Sequence, residues 1–312
     1  MFVFVVFYRD MEFIFFALAG VAIVGLVGFL YFENKSIVVT KHRLAFEFLP
    51  KEFDGFTIVH LSDLHSKRFG TGQAHLLDAV RGAHPDIVVI TGDIVDEAFY
   101  HEEPVIELVR GLRDIAPIYF VSGNHEWDSG HHETVERQLI DLGVHVLDNR
   151  SEEIMRGDRV LAIAGIDDAA RHFAKPRYFS KEWLDHFRPY DGAVAKEIRS
   201  IIHHELDAVR QGIDERAFKI LLVHRPEWLR EYMEHHFNLI FAGHAHGGQW
   251  DLPLLGPILA PGQGFFPKLV SGVHKRHGTV MVVSRGLGNS GIAFQRLFNR
   301  PEIVVATLKR SV

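Results

Sequence analysis

Along most of this chain, apolar residues come in runs of four or five, each closed by a polar cluster and often followed by a segment of helical spacing. Thr57-Ile58-Val59-His60-Leu61 leads into Ser62-Asp63-Leu64-His65, and Ile87-Val88-Val89-Ile90 into Thr91-Gly92-Asp93-Ile94-Val95-Asp96. Ile118-Tyr119-Phe120-Val121 leads into Ser122-Gly123-Asn124-His125-Glu126. The later half repeats the pattern. Residues 160–164 run into Gly165-Ile166-Asp167-Asp168, residues 219–223 into His224-Arg225-Pro226-Glu227, and residues 239–242 into Gly243-His244-Ala245-His246-Gly247-Gly248-Gln249. Residues 279–283 run into Ser284-Arg285-Gly286, and a last run covers 302–308. Runs this short and this continuously apolar predict strands covered on both faces. Between the first two, Leu76, Leu77 and Val80 share a helical face in residues 74–83, which His84-Pro85-Asp86 ends; residues 105–112 and 134–142 read similarly. Strands alternating with helices predict an α/β fold, with its site at the carboxyl ends of the strands, where the polar clusters fall.

Two stretches depart from this rhythm. Residues 169–217 carry aromatics (Phe173, Tyr178, Phe179, Trp183, Phe187) and one helix in which Ile198, Ile201, Ile202, Leu206 and Val209 share a face. They either shape a substrate pocket or cap the core. Residues 252–266 (LPLLGPILAPGQGFF) are apolar and too rich in Pro and Gly for regular structure. They either meet lipid or fold inward as core.

Near the start, residues 13–32 are twenty positions without a charge. At about 1.5 Å per residue they span roughly 30 Å, the thickness of a bilayer's hydrocarbon core. This predicts a transmembrane helix that anchors the chain in the lipid bilayer; a signal peptide has a shorter apolar region, and Leu30-Tyr31-Phe32-Glu33 is a poor cleavage site. Lys35, Lys41, Arg43 and Lys51 follow the span and only Arg9 precedes it, which favours a cytoplasmic main domain on an inner, cell membrane. Residues 1–35 are thus a leader and anchor, and 36–55 a linker with a first strand over 37–48.

The 312 residues carry a net charge of −6, which argues against nucleic acid as the main partner. There is no cysteine, so any metal rests on His, Asp, Glu or Asn. With 21 histidines, a single His-x-His arises readily by chance. The strand ends, however, together offer Asp63, His65, Asp93, Asn124, His224, His244 and His246, with His125 beside them. This mixture of imidazole, carboxylate and amide oxygen suits two divalent ions, Mn, Fe or Zn rather than Ca or Mg. Two such ions about 3.5–4 Å apart clamp the attacking and leaving oxygens at phosphorus and lower the pKa of a bound water. His131-His132, His203-His204 and His235-His236 lie in polar helical surroundings and read as solvated. No His-Glu-x-x-His is present, so a zinc protease is not supported.

The ordered set Asp-x-His, Gly-Asp-x-x-Asp, Gly-Asn-His-Glu, a strand-end His and Gly-His-x-His resembles the calcineurin-like metallophosphoesterase superfamily. His224-Arg225-Pro226-Glu227, the 243–249 motif, Ala260-Pro261-Gly262-Gln263-Gly264-Phe265-Phe266 and Ser284-Arg285-Gly286-Leu287-Gly288 are similar to its bacterial membrane-anchored YkuE-like branch. The resemblance covers residues 56–308 and implies an αββα sandwich as the metallophosphoesterase domain, 56–312, behind the N-terminal transmembrane helix. It implies that Asp63, His65 and His246 bind one metal, that Asn124, His224 and His244 bind the other, and that Asp93 bridges them. His125 is then the acid for the leaving oxygen or a donor to the phosphoryl oxygen, and Asp96 the carboxylate that orients it. Arg225 is placed to hold phosphate. Protein Ser/Thr phosphatases of the superfamily continue Gly-Asp-x-x-Asp with Arg-Gly, whereas Glu97-Ala98 follow here, which argues against phosphoprotein substrates. The resemblance implies a phosphoesterase with a phosphorylated or lipid-linked substrate; some anchored relatives hydrolyse the pyrophosphate of UDP-2,3-diacylglucosamine. The rival activity is a phosphodiesterase or phosphomonoesterase on soluble nucleotides, and the rival class a non-catalytic metal-binding scaffold.

Overall fold

The computed structural model describes residues 2–173, 187–289 and 296–311, with side chains from residue 14 onward except those of residues 170 and 172. The aromatics Tyr178, Phe179 and Trp183 lie outside the described residues. The chain opens with α1 (Phe2–Lys35), whose stretch Ile14–Lys35 is long and apolar enough to cross a membrane and is largely uncovered by the rest of the protein before Glu33. There follow β1 (Val38–Phe46), β2 (Thr57–Leu61), α2 (Ala74–Arg81), β3 (Ile87–Thr91), α3 (Glu103–Arg113), β4 (Ile118–Val121), α4 (Asn124–Asp128), α5 (His132–Asp141) and β5 (His145–Val146). The second half is built from β6 (Arg150–Arg156), β7 (Arg159–Gly165), α6 (Gly192–Arg210), β8 (Phe218–Leu222), α7 (Leu229–Met233) and β9 (Leu239–Ala242). Four two-residue strands come next, β10 (Asp251–Leu252), β11 (Gly256–Pro257), β12 (Leu259–Ala260) and β13 (Gly264–Phe265), and then β14 (Gly272–Arg276), β15 (Thr279–Val283) and β16 (Glu302–Arg310).

Two six-stranded sheets result, in the orders β1-β16-β2-β3-β4-β5 and β14-β15-β9-β8-β7-β6. The period-two geometry of a strand explains why their apolar runs are unbroken. In β3, Ile87 and Val89 point between the sheets while Val88 and Ile90 point at α2 and α3. In β9, Leu239 and Phe241 point between the sheets while Ile240 and Ala242 point at α6 and α7. Three apolar layers therefore separate helices, sheet, sheet and helices, the αββα sandwich of an α/β fold. The strand expected over 37–48 is β1, which pairs parallel with β16 along all nine of its residues.

The stretch 252–266 does form regular structure, as the antiparallel pairs β10·β11 and β12·β13. It turns outward, with Leu254, Leu255, Phe265 and Phe266 exposed. The histidine pairs are not all solvated either, because His235 is buried and its Nε2 lies 2.8 Å from His203 Nδ1.

Candidate metal centre

Four of the parallel strands, β2, β3, β4 and β8, and the neighbouring β9 end along one edge of the sandwich. There the loops run on together: Asp63 N–H donates to the carbonyl of Gly92 (3.0 Å), His65 N–H to that of Asp93 (3.0 Å) and Gly243 N–H to that of His224 (2.9 Å). Side chains are turned back over the edge by left-handed backbone at Asp63, His65, Asp93, His244 and His246, with φ between 48° and 63°. Each such residue costs about 1–3 kcal/mol and persists only where surrounding contacts impose it, which is common at functional sites. Glycine makes the close approach feasible. A Cβ on Gly123 would lie 2.3 Å from Asp93 Oδ1, and one on Gly243 would lie 1.9 Å from Ser62 Oγ.

Ligand-type atoms of Asp63, His65, Asp93 and His246 lie within 4.8 Å of one another, as do those of Asp93, His224 and His244. Asp93 is common to both groups. Its Oδ2 is 3.2 Å from His224 Nε2, 3.8 Å from His65 Nε2 and 3.9 Å from His125 Nε2. His65 Nε2 and His246 Nε2 are 3.2 Å apart, and His244 Nδ1 and His224 Nε2 are 3.0 Å apart. His224 Nδ1 donates to the carbonyl of Thr91 (2.8 Å), which leaves the Nε2 lone pair aimed at Asp93, as in imidazoles that bind metal. All these residues are buried.

The electrostatics also fit cations. Burial opposes protonation of His224, but Asp93 and Asp63 outweigh it and hold the imidazole up to about 10. His65 is likewise raised against its burial, by Asp96, Asp93 and Asp63. A dry pocket in which carboxylates stabilise imidazolium this strongly stabilises any cation placed there. Imidazole, carboxylate and amide donors without sulfur match the divalent ions expected from the sequence.

Asn124 Oδ1 accepts from Arg225 Nη2 (3.3 Å), and Arg225 Nη1 is 2.7 Å from His244 Nε2, so the guanidinium adjoins the second group of donors. Arg225 is held there by Asp168, whose Oδ1 accepts from its Nε (2.7 Å). His125 adjoins both groups, and ligand-type atoms of His65, Asp96 and His125 lie within 4.8 Å of one another. The Asp96 carboxylate lies 3.4 Å from His65 Nδ1, and His125 Nδ1 accepts the backbone N–H of Glu97 (3.0 Å). The loop after β3 curls so that Asp96 caps two N–H groups of its own turn, those of Ala98 and Phe99, and faces the nearer imidazole.

Sequence reasoning assigned no role to Glu126, Asp168 or Asn299. Buried Glu126 accepts N–H groups from Asp93 and Gly123 at Oε2 (2.8 and 2.7 Å) and from Ile94 and Val95 at Oε1 (2.8 and 3.2 Å). It thus ties together the loops after β3 and β4. The only signal for it was its place in Gly-Asn-His-Glu. A cavity of about 720 Å³ beside Tyr190 and Trp228 touches none of the seven candidate ligands.

Comparison with known proteins agrees with this geometry. Residues 56–248 match the family described as calcineurin-like phosphoesterase. The chain is 30% identical over 285 residues to the uncharacterized metallophosphoesterase YkuE of Bacillus subtilis, covering 89% of this chain and 88% of that protein. It is 24% identical over 284 residues to the phosphodiesterase YaeI of Escherichia coli, covering 89% and 90%. It is also 25% identical over 272 residues to a transmembrane protein with metallophosphoesterase domain of Danio rerio, covering 85% of this chain and 56% of that one.

Proposed function

Because the chain belongs to the calcineurin-like phosphoesterase family, and is thus a hydrolase of phosphoester bonds, we propose that it is a membrane-anchored, two-metal phosphoesterase acting on an amphiphilic substrate. The observation that carries the two-metal reading is the sharing of Asp93 between two clusters of buried donors. In this reading Asp63, His65 and His246 hold one ion, Asn124, His224 and His244 the other, and Asp93 both. Bound there, the ions supply Lewis acidity and lower the pKa of water, which provides a nucleophile at neutral pH.

His125 acts in this reading through Nε2. Its Nδ1 accepts the Glu97 N–H, so the neutral ring carries its proton on Nε2, at the edge of the cluster. Burial pushes the imidazolium down to about 4, although Asp93 pulls the other way, which supports hydrogen-bond donation to a phosphoryl oxygen over proton transfer from a charged ring. Asp96 orients His65, and Arg225 offers its guanidinium to the phosphoryl group. Mn, Fe or Zn fit the donors. The anchor α1, the metallophosphoesterase domain that follows it and the outward-turned apolar loop 252–266 support a substrate held at a membrane, with the domain on the cytoplasmic side. UDP-2,3-diacylglucosamine is one such substrate.

The test is hydrolysis by the detergent-solubilised protein of that lipid pyrophosphate and of a small chromogenic diester, with added Mn, Mg or Zn. Metal-dependent cleavage with preference for the lipid is expected, and metal analysis should find Asp93→Asn stripped of both ions. Preference for the small diester would sink the lipid reading, and full metal occupancy in Asp93→Asn would contradict a shared carboxylate.

A further inference from the structure

The end of α1 is docked onto the metal-site face. Glu33 and Asn34 are buried although they follow the apolar span directly. Asn34 Oδ1 accepts from the backbone N–H of Arg296 (2.9 Å) and from Asn289 Nδ2 (2.8 Å), and Asn299 N–H donates to Glu33 Oε2 (3.2 Å). Asn299 in turn donates through Nδ2 to the carbonyls of His246 (2.6 Å) and Gln249 (3.1 Å). One residue therefore separates the membrane helix from the turn that carries a candidate ligand. Phe298 packs against Phe29 with ring centroids 5.5 Å apart and ring planes at 53°, which continues the apolar face of α1 onto the domain.

Beside this junction runs a groove of about 430 Å³ whose walls include Leu30, Tyr31 and Lys35 of α1 on one side and His65 and Lys67 on the other. Among the described residues, the hydrogen bonds of its two lysine amines run to neutral acceptors, and burial with Arg296 and Lys35 nearby pushes Lys67 down to about 6. Lys67 Nζ donates to the carbonyl of Leu287 (3.2 Å) and to Asn289 Oδ1 (2.9 Å), and Lys35 Nζ to the carbonyl of Arg68 (3.2 Å). The guanidinium of Arg296, buried nearby, likewise bonds carbonyls, those of Gly288, Arg285 and Asn299. Burial and the like charges of Arg296 and Lys35 oppose a charge on Lys67, and an anion between Lys35 and Lys67 relieves this. The level is also right for a lipid. Tyr31 and Phe32, both exposed, end the apolar span, and Lys35 lies about 4.5 Å further along the axis at about 1.5 Å per residue, where lipid phosphates sit beyond the hydrocarbon.

We propose that this groove admits the substrate sideways from the bilayer. It takes the phosphate of a membrane lipid phosphoester between Lys35 and Lys67, beside His65, while the hydrocarbon lies along the uncovered side of α1. The inference rests on the phosphoesterase reading above and narrows its substrate to one presented within the membrane plane.

The test is native mass spectrometry of the full chain, released from detergent micelles containing dioleoyl phosphatidic acid and EDTA, so that no turnover consumes the lipid. The wild type is expected to retain one lipid. Lys67→Gln and Lys35→Gln, the latter at an exposed helix end where folding is undisturbed, should each weaken retention about tenfold, and glycerol 3-phosphate at equal concentration should not displace the lipid. Equal retention by the wild type and Lys35→Gln overturns the proposal, as does displacement by glycerol 3-phosphate, which would mark a site for free phosphate. The readout does not involve turnover: lysine-dependent retention by a protein that hydrolyses no phosphoester would refute the hydrolase reading alone.

Discussion

Glu126→Gln exchanges one carboxylate oxygen for an NH2 group at the point where the loops after β3 and β4 meet. Each oxygen of Glu126 accepts two backbone N–H groups, so whichever way the amide turns, two of these donors lose their acceptor and face another donor. A hydrogen bond to a charged acceptor is worth roughly 1.5–3 kcal/mol, which makes the loss about 3–6 kcal/mol. That is a large part of the roughly 5–15 kcal/mol that holds a typical domain folded. Burial and the neighbouring Asp93 push the Glu126 carboxyl up to about 7, while the N–H groups favour its ionised form, so the comparison belongs at pH 8. Urea unfolding of the detergent-solubilised protein should show the variant weakened by that amount, and metal analysis should show reduced occupancy, because Asp93 is carried on the loop that detaches. A variant with wild-type stability and metal content would refute the reasoning, since a protonated Glu126 already resembles glutamine.

Two further predictions use the same inputs. His125→Ala should lower kcat by about 10²–10⁴ while metal content stays near that of the wild type; metal loss in step with the rate would make His125 a ligand instead. His60, buried in β2 with Nε2 2.8 Å from Thr91 Oγ1, is pushed down to about 3 by its burial. The unfolded chain takes up a proton at this residue below about 6.5 and the folded chain does not until about 3, so stability is lost as pH falls through that window. Between pH 7 and 5 the residue should account for about 2 kcal/mol of lost stability. His60→Gln should flatten that part of the profile, and an unchanged profile would refute the assignment.

What the sequence determined by itself was local. Period-two burial on both faces made the strands continuous apolar runs, such as 87–90 and 239–242, and a strand must shed its polar residues at its ends, so the donors could be found by where the runs stop. Residue chemistry then narrowed Asp63, His65, Asp93, His224, His244 and His246 to a candidate cation site, and the charge-free length of 13–32 marked a helix long and apolar enough to cross a membrane. The tertiary structure decided the contacts that have no period and no fixed spacing. Asp96 lies against His65, 31 positions away, because the loops after β2 and β3 run side by side, whereas the family resemblance pointed to His125. Glu126 became the acceptor that binds two loops only once β3 and β4 were neighbours. The docking of Glu33 and Asn34 onto Arg296 and Asn299 joins segments more than 260 positions apart, brought together because β16 returns to pair with β1 at the foot of α1. Packing between sheets, helix and loops is set by shape and burial over the whole chain, so the contact between the apolar helix and the candidate metal centre exists only in three dimensions.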